Sequence, residues 1–174
     1  MPKTLLILAH PNIKESIGNR IISEILIRDP QVEIRHLDQL YPDFKIDIKA
    51  EQQAMLRADL IIFQYPLFWY STPAVLKEWI DQVFEYGFAF GRDAKLTGKK
   101  VVASFTMGSS DKDYPAEVIE KITFPFQGMA KYCNMEYLGE IYSNDINNYK
   151  PGAGEKAAEI AKTHAEKLIA LIHP

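Results

Sequence analysis

The 174-residue sequence reads as an α/β protein built on a doubly wound, five-stranded parallel sheet in the order 2-1-3-4-5, with helices on both faces. Three observations predict this. Short apolar runs suited to strands buried on both faces recur at residues 4–9, 60–63 and 100–106. Segments of helical spacing separate them, and the short connections require parallel strands joined by right-handed crossovers. With that order the switch point falls between the first and third strands, and a ligand crevice opens beyond their carboxyl ends.

The first strand, residues 4–9, ends in the turn signal His10-Pro11-Asn12. Ser16 opens a helix that carries Ile17, Ile21, Ile22, Ile25 and Leu26 on one face until Asp29-Pro30. Val32, Ile34 and Leu37 alternate as a second strand, and residues 48–57 form a short helix. The third strand, residues 60–63, gives way at Tyr65-Pro66 to Leu67-Phe68-Trp69-Tyr70, which is too bulky and apolar for an ordinary solvated turn. Thr72 caps the next helix, with Pro73 at its first position and Ala74, Leu76, Lys77, Trp79, Ile80 and Val83 at helical spacing. Residues 100–106 make the fourth strand, and residues 116–122 and 126–132 are helical with Pro125 breaking them. Residues 137–142 form the fifth strand and residues 144–152 a polar loop. Residues 155–171 form an amphipathic helix with Ala158, Ala161, Ala165, Leu168 and Ile172 facing inward.

This length fits one domain over residues 1–174. A net charge of −3 without a lysine or arginine cluster argues against nucleic acid as a partner. The only cysteine, Cys133, cannot form an internal disulfide; it fits a reducing compartment and reads as a small buried apolar group. The opening apolar run is too short for a signal peptide and no segment approaches membrane-spanning length, so a cytoplasmic location is expected. No metal site is expected.

Three strand-end loops carry the chemistry. The loop from His10 to Asn19 runs into a helix N-terminus, whose free amides form an anion site suited to phosphate. Ser16 and Asn19 can donate to its oxygens, and His10 can donate a ring N–H or, if protonated, offset charge. Read alone, Ser16 is equally a helix cap and His10 a turn histidine. Neither G-x-G-x-x-G nor a P-loop occurs, which argues against a Rossmann-bound nicotinamide cofactor or a nucleoside triphosphate. The aromatic loop offers a surface for something flat, although such side chains also serve as core or subunit contacts. In Thr106-Met107-Gly108-Ser109, small residues let backbone N–H groups approach the edge of a planar ligand.

Taken together, these loops resemble the flavodoxin-like NAD(P)H:quinone oxidoreductases, particularly the small bacterial members that include the ancillary subunit of glutathione-gated potassium efflux systems. The matching segments are Leu8-Ala9-His10-Pro11 with Ser16 and Asn19; Ala58-Asp59 through Tyr65-Pro66-Leu67-Phe68-Trp69 and Pro73-Ala74-Val75-Leu76-Lys77; Phe88-Ala89-Phe90-Gly91; and Thr106-Met107-Gly108 with Tyr114. The resemblance spans nearly the whole chain. It implies that His10, Ser16 and Asn19 hold a flavin phosphate, and that Pro66, Leu67, Phe68 and Trp69 line the isoalloxazine through backbone amides and packing. It further implies that Thr106, Met107 and Gly108 meet the flavin's polar edge and that Tyr114 helps stabilise the reduced flavin.

Ser109 replaces a second family glycine, and no histidine follows Tyr114 closely, so a tyrosine-histidine relay is not expected. The chain lacks the long C-terminal extension of the FAD-binding relatives, which makes FMN the first choice and FAD the second. The resemblance implies hydride transfer from NADPH or NADH to the flavin and on to a quinone or another flat electrophile, with ping-pong kinetics. It also implies a homodimer with shared sites, in which Phe84, Tyr86, Phe88 and Phe90 wall the pocket, form the subunit boundary or pack in the core. Two alternatives share the flavin: a regulatory subunit docked on a potassium efflux transporter, and an azo- or nitroreductase. A one-electron carrier of the flavodoxin type fits less well, because the chain has neither a Thr/Ser-rich phosphate loop nor a strongly acidic surface.

Overall fold

The structure is a computed structural model and describes residues 3–174. Its five strands are β1 (Thr4–Leu8), β2 (Val32–His36), β3 (Leu60–Pro66), β4 (Lys100–Thr106) and β5 (Glu136–Ser143). They form one sheet in the order β2-β1-β3-β4-β5, every pair parallel, as the sequence predicts. The central strands β1 and β3 are buried at every position, which is why they read as unbroken apolar runs. At the β5 edge, Val101 pairs with Tyr137 and Ala103 with Glu140, so β5 carries one extra residue. Gly139, at φ 109°, takes the backbone of that bulge, a conformation a side chain would oppose.

The helices are α1 (Gly18–Leu26), α2 (Leu37–Leu40), α3 (Ile48–Arg57), α4 (Ala74–Val83), α5 (Ala116–Tyr132) and α6 (Ala153–Ile172). Helices α1 and α6 cover one face, where Ile22, Leu26, Ala161, Ala165 and Leu168 pack on Leu6, Ile62 and Val102. The other face packs α3, α4 and α5 on Leu5, Ile7, Ile61, Phe63, Val101 and Phe105. Phe63, Tyr65, Phe105 and Phe126 interlock there, with ring centroids 5.3–5.7 Å apart. Cys133 lies buried at the end of α5, and burial pushes its thiol pKa up.

Several local expectations are corrected. Pro125 does not break its helix: α5 is continuous from Ala116 to Tyr132, because a proline removes one donor and the inward face continues through Ile122, Thr123 and Phe126. Leu37 belongs to α2 rather than to β2, and it is buried there. Pro73, extended at ψ 148°, precedes α4 as its cap, and no Thr72 side-chain bond is made; the Pro73 carbonyl accepts from Leu76 and Lys77. Helix α1 begins at Gly18, after a 3-10 turn over Ile13–Glu15, two residues later than Ser16. Along α6 the fully buried residues are Ala157, Ala161, His164, Ala165 and Leu168, whereas Ala158 and Ile172 are only half-buried.

One buried charge ties the α3–α4 face together. Glu51 on α3 is fully buried, and its carboxylate accepts from Arg35 of β2, from the Tyr41 hydroxyl and from Trp79 Nε1 of α4 at 2.9 Å. Burial, then the bond to this carboxylate, pushes the Tyr41 phenol up to about 12. Among the described residues no helix is long and apolar enough to cross a membrane. Replacing Glu51 by Ala strands Arg35 and the Trp79 N–H, so a loss of about 3–5 kcal/mol is expected. Glu51→Gln, which keeps an acceptor, is expected to lose less; urea unfolding of both variants checks the order.

Candidate active site

Strands β1 and β3 are neighbours, but their connections leave toward opposite faces, to α1 and α4 respectively. Between them opens a crevice of about 640 Å³. His10, Ser16, Asn19, Pro66, Leu67, Phe68, Trp69, Thr106, Met107 and Gly108 all line it. Tyr114 does not; it is half-buried beside Tyr70, with ring centroids 5.6 Å apart. The crevice is also lined by Glu15, Ile17 and Ser109 and by Ile146, Asn147, Asn148 and Tyr149 of the loop after β5, for which the sequence predicts a polar loop and no ligand role. The one signal for that loop was its position at the end of a strand.

At one end lies the head of α1. The Asn19 N–H donates to Ser16 Oγ at 3.1 Å, so Ser16 satisfies one amide of the first turn of α1 and also faces the crevice. His10 Nδ1 accepts from the Asn12 N–H at 3.1 Å, which leaves its Nε2 carrying the proton. Burial lowers the His10 pKa, Asp38 opposes and His36 reinforces, so the ring is a neutral donor and not a cation. Among the described residues no lysine or arginine lines the crevice. Gly18 fits because a Cβ there would lie 2.7 Å from Ile146 Cγ2 and 3.2 Å from Thr106 Cγ2, a close approach of α1 to the two neighbouring loops.

At the other end stands the aromatic turn. Phe68 and Ser71 exchange two backbone hydrogen bonds of 3.0 Å, and the residues between them, Trp69 and Tyr70, have φ of 48° and 64°. This is a two-residue turn of the mirror-image kind that favours Asn-Gly, built here from two bulky residues. Each left-handed residue costs on the order of 1 kcal/mol, yet Trp69 is 94% exposed and buries nothing in return. Most amides along the loops are already committed: Leu67 N–H to Thr106 O at 2.8 Å, Phe68 N–H to Ser71 O, and Met107 N–H to Ser143 O at 2.8 Å. Leu67, Phe68 and Met107 therefore offer packing surface, not main-chain donors.

Beneath the crevice floor runs a polar chain buried against α1 and α6. His164 Nδ1 and Nε2 lie 2.9 Å from Ser143 Oγ and 2.7 Å from Ser104 Oγ. Ser104 Oγ donates to Gln64 Oε1 at 2.6 Å, Gln64 Nε2 donates to Asn19 Oδ1 at 2.7 Å, and Asn19 Nδ2 donates to Thr106 Oγ1 at 2.9 Å. Asn19 is thus bonded at its amide and at both ends of its side chain, and it serves as scaffold for the floor. Sequence reasoning missed Gln64, Ser104 and His164.

The model of the family described as having a flavodoxin-like fold matches residues 2–169. The chain is 45% identical over 139 residues to the glutathione-regulated potassium-efflux system ancillary protein KefF of Enterobacter sp. (strain 638), covering 77% of this chain and 78% of that protein. It is 37% identical over 173 residues to the NAD(P)H oxidoreductase YrkL of Bacillus subtilis, covering 96% and 95%. The general stress protein 14 of Treponema denticola, solved in complex with FMN, superposes with a TM-score of 0.88 at 32% identity over 98% of this chain and 99% of that one. The chain belongs to this flavodoxin-like family. Within it, the chain is an oxidoreductase.

Trp69→Asn relieves left-handed strain at a side chain that buries nothing, so the thermal midpoint should rise by the equivalent of about 1 kcal/mol. For His164, burial drops the pKa from 6.5 to about 3. Between those values the unfolded chain takes up a proton that the folded ring refuses. Its stabilisation is therefore complete above pH 6.5 and falls toward pH 3, by up to about 1.4 kcal/mol per pH unit. The urea midpoint of His164→Gln should decline less steeply with acid than that of the unsubstituted protein.

Proposed function

We propose that the chain, as one flavin-binding domain over residues 1–174, is a cytoplasmic, homodimeric NAD(P)H:quinone oxidoreductase that carries FMN in the crevice, with FAD as second choice. The observation that carries this reading is the pairing, across one crevice, of neutral donors at the head of α1 with a strained, exposed aromatic turn. The donor set suits a phosphate monoester: a helix N-terminus, the Ser16 hydroxyl and the His10 Nε2–H bind an anion by directed hydrogen bonds without a counter-charge. The walls suit a flat conjugated ring, with Pro66, Leu67, Phe68 and Trp69 on one side and the Gly108 and Ser109 backbone on the other. The FMN complex of the Treponema denticola relative supports the choice of cofactor.

When bound, the flavin supplies the chemistry, accepting hydride from NADPH or NADH and passing two electrons to a quinone or similar flat electrophile. The chain's own residues bind and orient. His10 and Ser16 hold the phosphate, while the aromatic turn packs on the ring and keeps water from it. Thr106 and Gly108 face the polar edge. Tyr114, which the resemblance assigns to stabilising the reduced flavin, packs on Tyr70 of the same turn without lining the crevice, so its part would be to hold that turn in place. A mostly neutral, stacked site admits a flat donor and a flat acceptor in alternation, hence ping-pong kinetics. A second reading, in which the same flavin-bearing chain is a regulatory subunit docked on a potassium efflux transporter, is supported by its identity to the Enterobacter ancillary protein.

The test is the visible spectrum of the purified protein, with heat-released cofactor identified chromatographically and NADPH added without oxygen. The expected result is a two-banded FMN spectrum that bleaches with NADPH and returns with a quinone. A colourless protein that neither takes up FMN nor oxidises NADPH would overturn the reading.

A further inference from the structure

The buried polar chain beneath the crevice has a direction, which follows from the orientation of the Gln64 and Asn19 amides. Gln64 donates from Nε2 to Asn19, so its Oε1 must accept, and Ser104 gives it the hydroxyl proton. Having spent that proton, Ser104 Oγ can only accept from His164, which places the imidazole proton on Nε2 and makes Nδ1 the acceptor of the Ser143 hydroxyl. At the other end Asn19 spends Oδ1 on Gln64 and donates from Nδ2 to Thr106 Oγ1. Thr106 Oγ1 therefore receives a proton from the protein, and its own proton has no protein acceptor among the described residues.

Thr106 lines the crevice floor. We propose that His164 is a positioning residue: acting through Ser104, Gln64 and Asn19, its neutral Nε2–H tautomer sets Thr106 as a hydrogen-bond donor into the crevice. The atom seated above it must then present a lone pair, as a carbonyl oxygen or an unprotonated ring nitrogen does. This deepens the proposed flavin site and rests on that reading for the ligand, but not for the tautomer.

The arrangement is selective because the reverse is equally complete. With the proton on His164 Nδ1 and the Gln64 and Asn19 amides turned over, every bond in the chain inverts, Thr106 donates to Asn19, and the floor becomes an acceptor. His164, Ser104, Gln64 and Asn19 are all at most 1% exposed, so bulk water cannot rescue a broken link. The chain also joins α1 to α6 across β3 and β4 through Gln64 and Ser104, which face each other in register. Removing the ring changes the crevice floor from the α6 end of the chain.

Long-range ¹H–¹⁵N correlation of the histidine ring in the purified protein tests the tautomer, and it should show His164 protonated at Nε2. Protonation at Nδ1 overturns the proposal. FMN titrations of the unsubstituted protein, Thr106→Val, His164→Leu and the double variant then test the coupling. Thr106→Val should weaken FMN about tenfold in the native background and leave it nearly unchanged in the His164→Leu background. His164→Gln, which keeps a donor toward Ser104, should restore affinity to within about threefold. Equal effects of Thr106→Val in both backgrounds overturn the positioning role while the flavin reading stands. If the unsubstituted protein takes up no FMN, the flavin reading fails instead, and the tautomer alone decides the direction of the chain.

Discussion

The structure depends on one constraint: strands that all run the same way must be joined across the faces of the sheet. Strand β1 sends its chain to α1 on one face, and its neighbour β3 sends its chain to α4 on the other. The sheet itself thus creates a crevice between them, and two further strand-end loops, those after β4 and β5, close on it. The loops after β4 and β5 are stitched together there, with Ile146 N–H to Met107 O at 2.9 Å and Asn147 Nδ2 to Gly108 O at 2.7 Å. Binding surface thus falls where the backbone has the most unfinished hydrogen bonding, and the local sequence finishes some bonds and leaves others open.

The two faces handle buried polarity differently. On the α3–α4 side a single carboxylate, Glu51, gathers Arg35, Tyr41 and Trp79 and locks β2, α3 and α4 in place. On the α1–α6 side the polar atoms form a line, not a hub, and the line runs to the carboxyl ends of the strands. A hub gives rigidity. A line gives orientation as well, because each interior member, His164, Ser104, Gln64 and Asn19, has both ring or side-chain polar positions committed.

Most of the architecture was legible because strands buried on both faces have no reason to alternate, and their runs stand out between helical segments. The crevice was legible for the same reason: irregular residues at strand ends, such as His10-Pro11 and Tyr65-Pro66, interrupt strong patterns. What escaped detection had no local pattern. Gln64, Ser104 and His164 are single polar residues in apolar settings, and their partners lie 40 and 60 positions away. Trp69-Tyr70 gave no turn signal because bulky residues rarely take left-handed backbone, and only tertiary context holds them there. Pro125 signals a break by its chemistry, yet the packing of Ile122 and Phe126 on the sheet carries the helix through it.

The placement of the sulfur has a consequence for durability. Quinones and related compounds arylate soft nucleophiles, and a catalyst that admits them repeatedly is exposed to self-poisoning. This chain has one thiol, Cys133, 2% exposed at the end of α5 and outside the crevice lining, where burial also disfavours its thiolate. The crevice therefore presents no cysteine to an electrophile that enters it.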